Sequence, residues 1–398
     1  MSTDTDYDIL IVGGGLVGGS LALALKDSSL RIGLVEALSD ADRQASPAGD
    51  RALALSRGTV QILDSLGVWT DVASQAMAIR HIHVSDRGHF GKTRLHAKDR
   101  GADALGHVAV ARVLEDAIQQ QLDGSSITRL CPARIMGIRA GQDSALVALR
   151  HGDENLNLSA RLVVAADGGN STVRTLLGIE QKVSAYGQTA IVVEVNIGKD
   201  TNFTAYERFT SSGPLAFLPL ERRKCSVVWT VKDEDAQDLL HQGEQEFTTS
   251  LQAAFGYWLG PISLANRPQG FPLKLIQAER MTDERVVLIG NAMHQIHPVA
   301  GQGFNLGLRD ASVLAERIQI QTRLGEDFGN TPFLHQYAEA RRTDLNRVIR
   351  FTDNLVRIFS SDFPPLSFAR NIALMALDRL PAAKRLLSRH AMGYGTQG

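Results

Sequence analysis

Glycines 13, 15 and 18 stand in the run Gly13-Gly-Gly15-Leu-Val-Gly18, which has the spacing G-x-G-x-x-G, with Ala22 four residues further on. That spacing suits a nucleotide. The first glycine permits a tight turn, the second lets backbone approach a pyrophosphate, and the third lets a helix pack closely on a strand. The helix that follows turns free N–H groups and the positive end of its dipole toward phosphate. Such a dipole contributes about 0.3–1 kcal/mol when exposed and more when partly buried. Glu36 lies 18 residues past Gly18 (36 − 18). A carboxylate there accepts hydrogen bonds from ribose hydroxyls and repels a 2′-phosphate. The turn by itself serves FAD and NAD equally well.

The elements around these residues follow from hydrophobic pattern. Asp8 to Val12 reads as a short buried strand, Gly13 to Gly19 as the turn, Ser20 to Lys26 as helix, and Arg31 to Glu36 as a second strand. Residues 57–66 suit a helix stopped by Gly67. Val110, Val113, Leu114, Ala117, Ile118 and Leu122 repeat at helical spacing and predict an amphipathic helix. Two further buried strands are expected at Arg161 to Ala166, ending at Asp167-Gly168, and at Arg285 to Ile289, ending at Gly290-Asn291. Residues 186–275 change character, with strand-like runs at Ala190 to Val195, Leu215 to Leu220 and Cys225 to Val231. From about residue 331 the pattern is helical, broken by Pro364-Pro365 and Pro381.

Bulk properties remove several classes of function. Lys+Arg 42 against Asp+Glu 43 leaves a net charge of -1, with no footprint for nucleic acid. Cys131 and Cys225 are isolated and read as structural thiols, which fits a reducing cytoplasm. The apolar stretch Ile9 to Leu25 is preceded by Asp4, Asp6 and Asp8 and is broken by glycines, so neither a signal peptide nor a membrane span is expected. No catalytic triad or metal cluster is recognisable along the chain. At 398 residues the chain should form at least two lobes.

Two later stretches carry a resemblance. Ala165-Ala-Asp167-Gly168-Gly-Asn-Ser171-Thr-Val-Arg174 resembles the DG motif of the flavoprotein aromatic hydroxylases. Gly290-Asn291-Ala-Met-His294-Gln-Ile-His297-Pro298-Val-Ala-Gly301-Gln-Gly303-Phe-Asn305-Leu-Gly307-Leu-Arg309-Asp310-Ala311 resembles their third signature. That signature usually opens with Gly-Asp, where this chain has Gly290-Asn291. Within the family, Asp50 to Leu55, Val84 to His89, Glu207 to Thr210, Gly213 to Pro219 and His297 to Gly307 are similar to the ubiquinone-biosynthesis branch.

The resemblance implies an α/β fold: a Rossmann-like FAD-binding domain with an interleaved sheet-rich substrate domain and a C-terminal helical region. The FAD-binding domain would take residues 1–75, 100–185 and 276–330. The substrate domain would take 76–99 and 186–275, and the helical region 331–398. Gly13, Gly15, Gly18, Glu36, Arg51, Arg112, Asp167, Asn291, Pro298, Gly301, Gly303, Phe304 and Asn305 would contact FAD. Without the family, Arg51 and Arg112 read equally as surface charges. Pro298, His297 and Phe217 are candidates for the substrate pocket, with no catalytic side chain designated. His294 and His297 read first as structural histidines bonding a turn.

The implied reaction is ring hydroxylation of a polyprenyl phenol, 2-octaprenyl-6-methoxyphenol in the matching branch member, with attack at another ring position or a non-oxygenating flavin reductase as alternatives. NADH or NADPH would reduce FAD, O2 would add at flavin C4a, and the resulting hydroperoxide would oxidise the ring. Only one G-x-G-x-x-G occurs, so the nicotinamide is expected to visit without a domain of its own. A polyprenyl tail favours membrane by about 0.8 kcal/mol per buried CH₂. Residues 341–390 hold ten Lys/Arg against four Asp/Glu, an excess of +6, with Val348, Phe351, Leu355 and Phe359 at helical spacing. This tail is a candidate for peripheral contact with the inner face of the membrane or with a biosynthetic complex. Core packing with a solvated basic face is its simpler reading, and a homo-oligomer is left open.

Overall fold

The structure is a computed structural model that describes residues 5–89, 91–296 and 301–359, with side chains through 353. Its nucleotide lobe is built on a sheet ordered Thr282–Asp283, Val286–Leu288, Glu154–Ala165, Tyr7–Val12, Ile32–Val35, Thr128–Leu130. From Val286–Leu288 to Thr128–Leu130 the neighbours run parallel. Ile9, Leu10 and Ile11 are completely buried, as are Leu162 to Ala165 and Val286 to Leu288. An unbroken apolar run is what a parallel strand covered on both faces requires. The N-terminal half of Glu154–Ala165 continues beyond that core and pairs antiparallel with Ala145–His151, which pairs in turn with Ala133–Ala140.

Helix Leu16–Leu25 packs against Ala111–Asp123 and against the long helix Gln302–Leu324. The amphipathic stretch forms as its periodicity predicts, burying Ala111, Leu114, Ala117, Ile118 and Leu122. The 57–66 stretch becomes helix Arg57–Ser65, and Gly67 ends it at φ +79°.

The second lobe is a nine-stranded sheet ordered His294–Gln295, Gln269–Ala278, Gln181–Ile197, Lys224–Lys232, Gly213–Glu221, Thr204–Thr210, His81–Asp86, Lys92–His96, with Ile262–Leu264 beside Gln181–Ile197. One face carries helices Asp233–His241 and Glu244–Phe255 over a core containing Ile191, Val193, Leu215, Phe217, Val227, Phe247 and Phe255. Strand alternation sends the intervening residues to the opposite face. There Ala205, Leu218 and Leu220 pack on Ala52, Ile79 and Val108. Those last three belong to a small sheet of Ala52–Ser56, Gly106–Val110 and Met77–Ile79. Met77–Ile79 therefore pairs in this small sheet, and His81–Asp86 with Lys92–His96 supply the early strands of the second lobe. The bare face of the large sheet thus looks toward the nucleotide lobe.

Helix Thr331–Phe359 closes the described chain, burying Phe333, Leu334, Tyr337, Leu345 and Val348 on the main core. At Val348 the core reading holds. Leu355 and Phe359 have no described side chains, and the remainder of the basic tail lies outside the described residues.

Candidate active site

Gly13 adopts φ +105°, a conformation that L side chains rarely tolerate. A methyl group there would come within 2.5 Å of the Ala166 carbonyl oxygen, and one on Gly18 within 1.9 Å of the Gly13 carbonyl oxygen. Strand, turn and helix approach too closely for any side chain at those two positions. Gly15 differs: nothing lies within 4 Å of the space its side chain would fill. Helix Leu16–Leu25 starts at Gly15 with no side chain capping it, so its leading N–H groups face that open space. Glu36 holds the turn from the next strand, its carboxylate accepting from the Gly14 N–H at 2.8 Å and the Leu38 N–H at 2.8 Å. Gln119, from helix Ala111–Asp123, donates to the Gly14 carbonyl at 3.0 Å.

Asp167 stands just past the end of Glu154–Ala165. One oxygen of its carboxylate accepts from the Thr172 and Val173 N–H groups at 2.7 and 3.2 Å. Among the described residues the other, Oδ1, is buried without a hydrogen-bond partner. A buried acceptor left unpaired is costly, so this atom is well placed to accept from a bound ligand. Arg174, buried in the helix that follows, donates to the Gly169 carbonyl at 2.7 Å and the Ala292 carbonyl at 2.8 Å. It ties the second motif to the third.

In the third motif Gly290 takes φ +58° and Asn291 is exposed beside it. The Gly290 N–H donates to Asp310 Oδ2 at 3.1 Å, and His294 Nε2 lies 2.7 Å from the same oxygen. Arg341, reaching in from Thr331–Phe359, donates to Asp310 Oδ1 at 2.7 Å and to Asp344 at 2.9 Å. Burial by itself would push the Asp310 carboxyl up, but His294 and Arg341 outweigh it and hold the group well below the usual carboxylate range. Burial likewise opposes the charge on Arg341, and Asp310 and Asp344 reverse that and raise its pKa. His294 is thus part of a buried latch that joins the Gly290 turn to the two long helices. This agrees with its reading as a structural histidine.

Helix Gln302–Leu324 begins at Gly301, φ +61°, again with no side-chain cap. A side chain on Gly301 would meet Ala54 at 2.7 Å, so the glycine lets the turn sit against strand Ala52–Ser56. Asn305 secures that contact. Its oxygen accepts from the Ser56 N–H at 2.9 Å and from Thr59 Oγ1 at 2.6 Å, and its amide donates to the Ala54 and Gly301 carbonyls. The Asn305 side chain is committed to protein, and what the turn offers a ligand is backbone. Gly303 and half-buried Phe304 lie in its first helical turn. His297 and Pro298 lie outside the described residues.

Arg112 is committed in the same way. It bonds the Gln44 carbonyl at 2.5 Å, the Ser46 carbonyl at 2.9 Å and Asp50 at 2.7 Å, thereby shaping the 44–50 loop. Arg51 is exposed and donates to the Ala48 carbonyl at 2.9 Å. Phe217, a pocket candidate, is corrected by the fold. It is fully buried on the helix-covered face and stacks on Phe255 at 3.9 Å between ring centroids. Its neighbours Ala216 and Leu218 are half-buried on the face toward the nucleotide lobe.

Two uncapped helix starts, an open glycine and an unpaired carboxylate oxygen therefore lie on three motifs clamped together by Gln119, Arg174 and Asp310. Residues 6–352 match a family described as an FAD binding domain. The ubiquinone hydroxylase UbiL of Rhodospirillum rubrum is 37% identical over 98% of this chain and 91% of its own length. The 3-demethoxyubiquinol 3-hydroxylase of Escherichia coli is 31% identical over 98% of this chain and 100% of its own. The chain belongs to the ubiquinone-biosynthesis flavin hydroxylases. A solved structure, p-nitrophenol 4-monooxygenase PnpA from Pseudomonas putida, shares the fold at a TM-score of 0.80 and 20% identity, covering 98% of this chain and 99% of that one.

For a flavin hydroxylase the residues present fit FAD. The pyrophosphate has an open glycine turn and a free helix start, and Asp167 Oδ1 is an acceptor waiting for a hydroxyl donor. Sequence reasoning missed three clamps. Asp310 lay within the third motif. Gln119 looked like one more polar residue on a helix surface. Arg341 carried no signal of its own, because its partner is 31 positions away (341 − 310).

Proposed function

We propose that this hydroxylase inserts one oxygen atom into the ring of a polyprenyl phenol in ubiquinone biosynthesis, with 2-octaprenyl-6-methoxyphenol the first candidate substrate. NADH or NADPH is the electron donor and O2 the co-substrate. The observation that carries the reading is the match to ubiquinone hydroxylases along 98% of this chain. Gly13, Gly15, Gly18 and Glu36 would hold the ADP end of FAD. Asp167 and the Gly290-Asn291 turn would hold the ribityl chain, and the Gly301–Phe304 helix start would face the flavin ring. When bound, FAD supplies the redox chemistry and the activation of oxygen. The protein's own part is to orient the ring, exclude water and offer backbone N–H groups to developing negative charge.

The test is oxygen uptake by the purified yellow protein with NADH or NADPH and a prenylated 2-methoxyphenol, followed by identification of the product. Stoichiometric hydroxylated product supports the proposal. NAD(P)H oxidation that yields only hydrogen peroxide with every prenylphenol tried would refute it.

The tail of such a substrate must be met at a bilayer or through a partner protein, and the basic C-terminal segment is the proposed contact. Among the described residues no helix is long and apolar enough to cross a membrane. Deleting residues 361–398 should weaken binding to anionic liposomes and slow turnover of the tailed substrate while sparing a short-chain analogue.

A further inference from the structure

The face of the large sheet that looks toward the nucleotide lobe carries one transverse row of directly paired residues. Val192 stands opposite Val228, Val228 opposite Ala216, Ala216 opposite Glu207, and Glu207 opposite Val84. Val84 pairs in turn with Thr93. The five residues from Val192 to Val84 are all half-buried, although they lie in the middle of the sheet. Glu207 keeps accessible surface although the surrounding protein desolvates its carboxyl, a combination that fits a side chain lining an internal space. Along the same face Ala205 and Leu218 pack with Ala52, whose strand carries Ala54 against Gly301 of the third motif. The row is therefore close to the helix start assigned to the flavin ring.

Glu207 is the sole ionisable group in that row, and among the described residues no hydrogen bond or ion pair reaches it. Its charged neighbours are engaged elsewhere. Arg208 points to the other face, over the Trp258 ring at 5.5 Å. Lys92 and Arg94 stand opposite Ser85 and His83, also on the other face. Asp86 lies 3.4 Å from His89. Burial raises the Glu207 carboxyl to about 7. An unpaired carboxyl amid valine and alanine is a poor structural element, and it suits a proton acceptor working near neutral pH.

We infer that Glu207 binds the substrate's phenolic hydroxyl and accepts its proton during oxygen transfer, an assignment that rests on the hydroxylase reading above. As the O–O bond of the activated dioxygen breaks, its outer oxygen bonds to the ring carbon. The ring supplies the electron pair and the phenolic proton passes to the Glu207 carboxylate. The proton on the attacked carbon then passes to the second oxygen atom, which restores the aromatic ring, and Glu207 returns its proton to the ring oxygen. O2 is the oxidant and the nicotinamide hydride the reductant, with the second oxygen atom leaving as water. Glu207 ends as it began. The apolar row would hold the ring's faces and edges.

The test compares wild-type holoenzyme with Glu207→Gln and Glu207→Asp, using a short-chain prenyl-2-methoxyphenol and its O-methyl ether. Binding is read from the perturbation of the flavin spectrum without reductant. Wild type should bind the phenol at least about tenfold tighter than the ether, since a hydroxyl donating to a carboxylate outweighs a neutral contact. The glutamine variant should lose that preference, keep its FAD and its reduction by NAD(P)H, and release hydrogen peroxide with product formation down about 100-fold or more. The aspartate variant should recover part of the product yield. Equal binding of phenol and ether by wild type, or product formation by Glu207→Gln within threefold of wild type, would overturn the assignment. A wild-type enzyme that prefers the phenol yet makes no hydroxylated product would instead count against the proposed reaction and leave the phenol-binding role of Glu207 standing.

Discussion

Replacing Glu207 by glutamine should make the folded protein more stable as it disables it, and the gain should depend on pH. Burial moves the carboxyl from an ordinary 4.5 to about 7. At about 1.4 kcal/mol per pH unit, ionising it in the folded protein costs about 3 kcal/mol. The sign follows from linkage. Below about 4.5 the group is neutral in both folded and unfolded chains, and no cost exists. Between about 4.5 and 7 the unfolded chain ionises while the folded one resists, so stability falls across that window, and above 7 both are charged and the loss is complete. Glutamine has nearly the same shape and no charge, and its own amide must still be desolvated, which leaves a net gain of about 2 kcal/mol above neutrality. Thermal unfolding of both proteins in excess FAD at pH 5 and pH 8.5 measures the difference, with other titrating groups cancelling between them. The variant should melt about 2–3 °C higher at pH 8.5 and nearly level with wild type at pH 5. A variant less stable than wild type at pH 8.5 would refute the reasoning, since it would mean that the carboxylate has a cationic partner.

Three further outcomes follow from the site. Gly18→Ala places a methyl 1.9 Å from the Gly13 carbonyl oxygen, so the turn must open and the protein should purify colourless, as its absorbance spectrum would show. Asp310→Asn strips the charge that His294 and Arg341 share, and should cost about 3–5 kcal/mol by urea titration. Because the Asp310 carboxyl is held below its ordinary range, the stability it supplies is present at neutral pH and lost on acidification. The deficit of Asp310→Asn relative to wild type should therefore narrow in acid. Asp167→Ala removes the unpaired Oδ1, and should weaken FAD binding about tenfold or more in an equilibrium titration while the strand and helix beside it persist.

Much of the fold could be read along the chain because its causes are local. Runs such as Ile9 to Val12 and Leu162 to Ala165 are apolar at every position, which only a strand covered on both faces can use. Gly13 and Gly18 show themselves because a φ of +105° suits glycine and because a β-carbon on Gly18 would fall 1.9 Å from a carbonyl oxygen. Phe217 shows the opposite case. In Gly213-Pro-Leu-Ala-Phe-Leu-Pro219 both faces of the strand are apolar, and alternation says which residues share a face without saying which face meets the cofactor.

The sequence by itself determined the three motifs, the strands and helices that carry them, and the kind of cofactor they serve, since each depends on residues near one another in the chain. Tertiary structure decided which motif residues touch protein and which are left free. Asn305 and Arg112 spend their hydrogen bonds on neighbouring loops, whereas Asp167 keeps an oxygen unpaired. It also decided that Glu207, one carboxylate among many in the sequence, stands alone in an apolar row. That isolation comes from His81–Asp86, Thr204–Thr210, Gly213–Glu221 and Lys224–Lys232 pairing side by side, and hydrogen-bond register between distant segments is not written in either segment alone.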